Sequence, residues 1–148
     1  MKRFLAIGLF AIVVAACKTA APQIGGEGTF DVLKKESIGG REKQGNDVIT
    51  SQSQLNALYS ELNLSDVPEI DFKSNNVVAL FMGQKNTGGY SIDVGAVNLT
   101  DDVATVQIIT TAPQDMAIMV LTTPYCIAKI PKSKKVEFTK SASTPAAE

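Results

Sequence analysis

The sequence predicts an α+β fold in which a mainly antiparallel β-sheet is curled into a sandwich or small barrel with one helix packed on it. Three observations carry the prediction. One stretch alone repeats apolar residues convincingly at helical spacing; short runs rich in β-branched residues alternate with turn signals over the rest; and one of those runs is apolar on both faces.

The first strand is expected at residues 29–34 (Thr-Phe-Asp-Val-Leu-Lys), ended by Gly39-Gly40. A charged loop over 40–46 leads to a short extended piece at 47–50. Leu55, Leu58, Tyr59 and Leu62 then recur at i, i+3, i+4 and i+7, an apolar stripe that predicts a helix over 52–63. Ser51 with Gln54 three residues on makes a capping box for its first turn. Residues 64–72 are irregular, interrupted by Pro68 and anchored by Ile70 and Phe72.

Residues 76–82 (Asn-Val-Val-Ala-Leu-Phe-Met) are apolar on both faces and predict a central, doubly covered strand. The glycine-rich segment 83–89 turns the chain, and a returning strand puts Tyr90, Ile92, Val94 and Ala96 on one face. Thr100-Asp101-Asp102 is the next turn and 103–111 the next strand, which makes an antiparallel meander. The run 116–121 (Met-Ala-Ile-Met-Val-Leu) is apolar throughout; its length and flanking β-branched residues favour a strand. Residues 125–130 and 136–139 complete the sheet.

The two ends differ from this middle. Lys2 and Arg3 precede an apolar run over 4–16, and Val14-Ala15-Ala16-Cys17 closes it. The run is shorter than the roughly 20 helical residues needed to span a bilayer, whereas small residues before a cysteine fit a bacterial lipoprotein signal over 1–16 with Cys17 as the acylated residue. Residues 17–28 carry Ala, Pro and Gly around short polar residues and read as a flexible tether between lipid and domain. The folded part is expected over 29–139, and the tail 140–148 is too polar and small-residue-rich to order. The protein is thus expected to be lipid-anchored in the cell envelope. Lys18 is not the aspartate that retains lipoproteins at the inner membrane in well-studied Gram-negative systems, which favours the outer membrane.

Composition excludes several functions. Removing Lys2 and Arg3 from 14 basic residues leaves 12 against 15 acidic ones, so no basic surplus remains for nucleic acid. With Cys17 acylated, Cys126 has no disulfide partner, and its place at the start of Cys-Ile-Ala-Lys-Ile puts it on a strand face with Ala128 and Ile130 as a small core residue. The chain has no histidine, which leaves serine and cysteine nucleophiles without their usual base and zinc without its usual ligands. No catalytic residues, metal or cofactor are therefore expected, and Asp101-Asp102 reads as a solvated turn rather than a calcium site.

Two segments carry more information than plain turns. Asn86-Thr87-Gly88-Gly89-Tyr90 joins glycines, which permit positive φ, to a rigid aromatic; Thr123-Pro124-Tyr125 joins a strand-entry proline to another. Each is either a protein-binding rim or a turn followed by a core tyrosine, and the rim gains support if both lie at one end of the sheet.

Asp71-Phe72 before a strand, Gly83 after it, Thr87-Gly88-Gly89-Tyr90 opening the next and Thr123-Pro124-Tyr125 opening a later one resemble the PrcB family over roughly residues 30–132. The resemblance implies a non-enzymatic envelope lipoprotein, since the founding member accompanies a surface protease and is associated with its assembly and stability. The expected partners are accordingly an envelope protein, a protease among them, and the membrane through the N-terminal lipid. An alternative is a protease inhibitor, because 86–90 is similar to the Asn-Pro-Thr-Thr-Gly-Tyr loop of chagasin-type inhibitors and 123–125 to their Arg-Pro-aromatic loop. The proline of the first and the arginine of the second are absent here, and no middle Gly-rich loop is found. A structural or ligand-binding lipoprotein is the third possibility.

Overall fold

The computed structural model describes residues 26–114 and 118–141. The expected signal, Cys17, the tether up to residue 25, residues 115–117 and the tail from 142 lie outside the described residues. In chain order the elements are β1 (Gly26–Glu27), β2 (Asp31–Glu36), β3 (Gly45–Ile49), α1 (Gln52–Glu61), β4 (Asn75–Phe81), β5 (Ser91–Thr100), β6 (Val103–Thr111), β7 (Tyr125–Pro131) and β8 (Lys135–Lys140). They build two four-stranded sheets, ordered β2-β7-β4-β3 and β1-β5-β6-β8, packed as an open sandwich with the helix on the outer face of the first sheet. The barrel alternative does not occur.

The doubly apolar strand explains the layering. Along β4, Val78 and Leu80 face the second sheet, where they meet Ile92, Val94, Val106 and Ile108; Val77, Ala79 and Phe81 face the helix and meet Leu55, Leu58 and Tyr59. β7 repeats the alternation, with Cys126, Ala128 and Ile130 inward and Tyr125 and Ile127 under the helix. All five residues of β4 from Val77 to Phe81 are fully buried. Burying a Val, Leu, Ile or Phe side chain contributes about 1.5–3 kcal/mol, so these two strands hold both cores together.

The helix begins as the capping box predicts on one side and differs on the other. Ser51 Oγ accepts the Gln54 N–H at 3.3 Å, but Gln54 Oε1 reaches one residue further back and accepts the Thr50 N–H at 2.8 Å. It ends two residues earlier than expected, at Glu61, because Asn63 turns to φ +52° and the Leu64 N–H closes on Tyr59 O at 2.8 Å.

Several expectations need correction. The strand expected at 29–34 is Asp31–Glu36, displaced by two residues; the short piece is Gly45–Ile49 rather than 47–50; and residues 26–28, expected as the end of the tether, pair instead with β5, the Gly28 N–H donating to Val97 O at 2.7 Å. Residues 76–111 are not one meander: β4 is already flanked by β3 and β7, so β5 has no free edge to join and crosses to the second sheet, where it forms a hairpin with β6 and takes β1 on its other edge. β8 pairs with β6 in parallel, because the chain crosses from the first sheet to the second after β7 and re-enters at the same end as β6. Finally, the described part of the apolar run, 118–121, is not a strand but an exposed loop.

The face expected for β5 also breaks midway. A bulge between Val94 and Ala96 shifts the register, so that Val97 is buried in place of Ala96. Gly95 makes the bulge possible, since a Cβ there would lie 2.4 Å from Ile109 Cδ1. At the hairpin turn Asp101 and Asp102 take φ +47° and +66°, the paired left-handed geometry of a type I′ turn. The Asp102 carboxylate pairs with Lys134 Nζ at 2.6 Å, as suits a turn residue.

Candidate functional site

β2, β4 and β7 bring three loops to one end of the sandwich: 37–44 after β2, 82–90 after β4 and the segment that precedes β7. Residues 122–124 lie between the other two and continue the β7 pairing upward. On one side Thr122 and Lys85 exchange backbone bonds (2.9 and 2.8 Å) and the Met82 N–H donates to Pro124 O at 2.9 Å. On the other, the Gly40 N–H donates to Thr123 O and the Gly39 N–H to Thr123 Oγ1, both at 3.0 Å, while the Thr123 N–H donates to Ser37 O at 3.0 Å. The Thr122 hydroxyl donates to Thr87 O at 3.0 Å, and the Gly88 N–H to Ile118 O at 3.0 Å. The two segments singled out in the sequence are therefore neighbours at one end of the sheet.

Their side chains part company. Tyr125 is 1% exposed, its ring 6.4 Å from that of Phe81, and Pro124 is fully buried. These two are core residues, which is one of the readings open for the Thr-Pro-Tyr segment; their side chains cannot act as a contact surface. Burial also raises the Tyr125 hydroxyl above its ordinary pKa. The likeness to the Arg-Pro-aromatic loop of chagasin-type inhibitors therefore has no accessible proline or aromatic side chain behind it. Asn86 and Gly89 are exposed, and Thr87, Gly88, Tyr90 and Thr123 are half-buried. Lys85 Nζ lies 5.6 Å from the centre of the Tyr90 ring. Gly89, at φ +84°, is where the chain passes Pro113 so closely that a Cβ would stand 2.8 Å from the proline Cβ.

The loop 37–44 is braced from below. Arg41 Nε and Nη2 hold both oxygens of Glu61 at 2.6 and 2.9 Å, Nη1 holds Asp47 at 2.7 Å, and the guanidinium lies 4.4 Å from the centre of the Phe81 ring. The hydrogen bonds from Arg41 lower the Glu61 pKa, and Glu61 in turn raises that of Arg41. This network ties helix, β3 and loop together.

Sequence reasoning missed the most exposed apolar residues of this end. Ile118, Met119 and Leu121 are 80%, 84% and 61% exposed, with Val120 and Ile38 beside them in the same class. The signal that was present is the pair of flanking prolines, Pro113 and Pro124; the unbroken apolar run by itself is also what a doubly covered strand shows.

Cys126 has no features of a nucleophile. Its Sγ donates to Asp93 Oδ1 at 3.6 Å, and burial, with the Asp93 charge, pushes the thiol up to about 12. Asp93 itself is held by Lys35 and accepts the Val94 N–H at 2.8 Å.

Residues 76–131, from β4 to the end of β7 with both intervening loops of this end, match the family model described as PrcB C-terminal. No curated protein and no solved structure matches the chain.

Proposed function

We propose, from the premise that residues 76–131 form a PrcB C-terminal domain, that this protein is a non-enzymatic, lipid-anchored envelope module that binds a partner protein and is accessory to a protease complex. The observation that carries the reading is the loop end itself: 84–90 and 118–124 are locked together by backbone hydrogen bonds and present exposed apolar side chains to solvent. Clustered exposed apolar surface marks interaction sites rather than ordinary solvated surface. The rim of this reading consists of Asn86, Thr87, Gly88, Gly89, Tyr90 and Thr123, with Pro124 and Tyr125 as its buried support. A histidine-free chain whose described cysteine thiol stays protonated supports the non-enzymatic part.

Acylation of Cys17 anchors the module, with the outer membrane as its place. Two or three acyl chains hold a protein firmly where one binds only marginally. Mass spectrometry of the protein extracted from membranes is expected to show acylated Cys17, and an unmodified Cys17 would remove the anchor from the reading. The functional test is cross-linking of the full-length protein in its native envelope followed by identification of the adducts. A protease, or a protein of a protease complex, is expected among them, with its steady-state level reduced when this chain is deleted. Recovery of no protein adduct would overturn the proposal.

A further inference from the structure

Seven large apolar side chains are exposed among the described residues, and five of them, Ile38, Ile118, Met119, Val120 and Leu121, sit on loops of one end of the sandwich. The other two, Val32 and Val48, stand alone on the outer strands β2 and β3. The four consecutive residues 118–121 follow Pro113 and precede a segment fixed on both sides by backbone bonds, so the apolar loop is a projection on a rigid base.

Its position decides what it can meet. β1 pairs with β5 at Leu99 and Asn98, so the chain enters the domain at the β5–β6 turn, whereas the apolar loop lies beyond Ser91 and Thr111 at the other end. The 10 residues of β5 separate the two by roughly 33 Å at about 3.3 Å per residue. The nine residues from Cys17 to Gly25 reach at most about 32 Å when fully extended. With the lipid on Cys17 and the chain entering at the opposite end, a domain standing on its tether holds the loop on the side away from the anchoring bilayer, where a partner protein meets it. In a second copy, 84–90 and 118–124 would offer Lys85 no carboxylate, since Lys85 is their one charged residue.

We infer that the loop 118–121 is a plug that inserts into an apolar groove on the partner protein, on the side away from the anchoring membrane, with a carboxylate at the groove's edge meeting Lys85. The inference rests on the proposed accessory role and adds the surface, its orientation and the chemistry of the partner's face. Lys85 suits this part because its backbone is held by Thr122 and its ammonium sits beside Tyr90 at the rim.

The test uses the full-length chain and the protein identified by cross-linking, purified, as the probe. Ile118→Asp and Met119→Asp are each expected to weaken binding at least tenfold, and Lys85→Glu about threefold or more with a reduced salt dependence. Val32→Asp and Val48→Asp, exposed apolar positions off this end, should change it less than twofold. Thermal melts of all five should stay close to wild type, so that lost binding is not lost folding. Undiminished affinity in the Met119→Asp protein overturns the plug while leaving the accessory role standing; capture of no protein overturns both. Dimerisation abolished by Met119→Asp, or flotation of an unacylated Cys17→Ser protein with phosphatidylethanolamine–phosphatidylglycerol vesicles, would assign the loop to a second copy or to lipid and likewise overturn it.

Discussion

Residues 77–81 and 118–121 are both uninterrupted apolar runs, Val-Val-Ala-Leu-Phe and Ile-Met-Val-Leu, yet the first is fully buried and the second is 42–84% exposed. Hydrophobicity does not separate them. The first lies between β3 and β7, which pair with every residue from Val77 to Phe81, and has a sheet on one face and a helix on the other. The second follows strands whose neighbours are already assigned, and Ile118 O is its one carbonyl bonded to the 82–90 loop. A run becomes core when two flanking partners and two covering layers are available; without them the same composition becomes a surface.

The sharpest way to break this comparison is a matched truncation. Phe81→Ala is expected to cost about 3–5 kcal/mol in urea unfolding, because the fully buried ring stacks beside Tyr125 and carries the Arg41 guanidinium over it. A cost below about 1 kcal/mol would mean that β4 is not the shared wall of both cores. Leu58→Ala tests the helix side alone and should cost about 2–5 kcal/mol, measured as a fall in the denaturation midpoint with an unchanged slope.

The bracing below the loop end gives a smaller, pH-dependent effect. Glu61 has its pKa lowered by Arg41, so its contribution is fully present above its ordinary value of 4.5 and is lost as pH falls through the lowered folded-state value. With the Glu61 side chain 48% exposed, solvent screening limits the effect to about 0.5–1 kcal/mol. Glu61→Gln should flatten that part of the stability–pH curve, and an unchanged slope below pH 4.5 would deny the pair any role. The smallest effect belongs to the exposed run: Met119→Ser is expected to change stability by less than about 0.5 kcal/mol in the same urea assay. A cost comparable to that at Leu58 would show that the loop is packed and erase the contrast.

What could be read from the sequence follows the same division. The helix was legible because Leu55, Leu58, Tyr59 and Leu62 repeat at its own period, and β4 because its two apolar faces need two covers. The Asp101-Asp102 turn was legible from residue types that tolerate positive φ. A sandwich was one of the two expected forms, but which strands fall in which sheet was not legible, since nothing local in 83–90 says whether the chain returns beside β4 or crosses away; that depends on β3 and β7 taking both edges. Tyr90 and Tyr125 follow similar turn sequences and end differently, the first half-buried beside Lys85 and the second sealed under the helix. Their fates are set by strands remote in sequence.

The parallel pairing of β8 with β6 makes the order in which the chain emerges matter. β8 is the last described strand, and it covers β6 from Val103 to Ile108 while Val136 and Phe138 close the inter-sheet core. The crossover that delivers it is pinned by Asn76, buried at 1% exposure, whose Nδ2 donates to Ser133 O and whose Oδ1 accepts from Lys132 Nζ, both at 3.0 Å. As the chain emerges from its N-terminus onward, β6 keeps a bare edge of alternating β-branched residues until the final strand arrives, a template for pairing with neighbouring chains. A chain cut after Pro131 keeps that edge permanently, so the short strand outside the segment that matches the family acts as the closing seal of the domain.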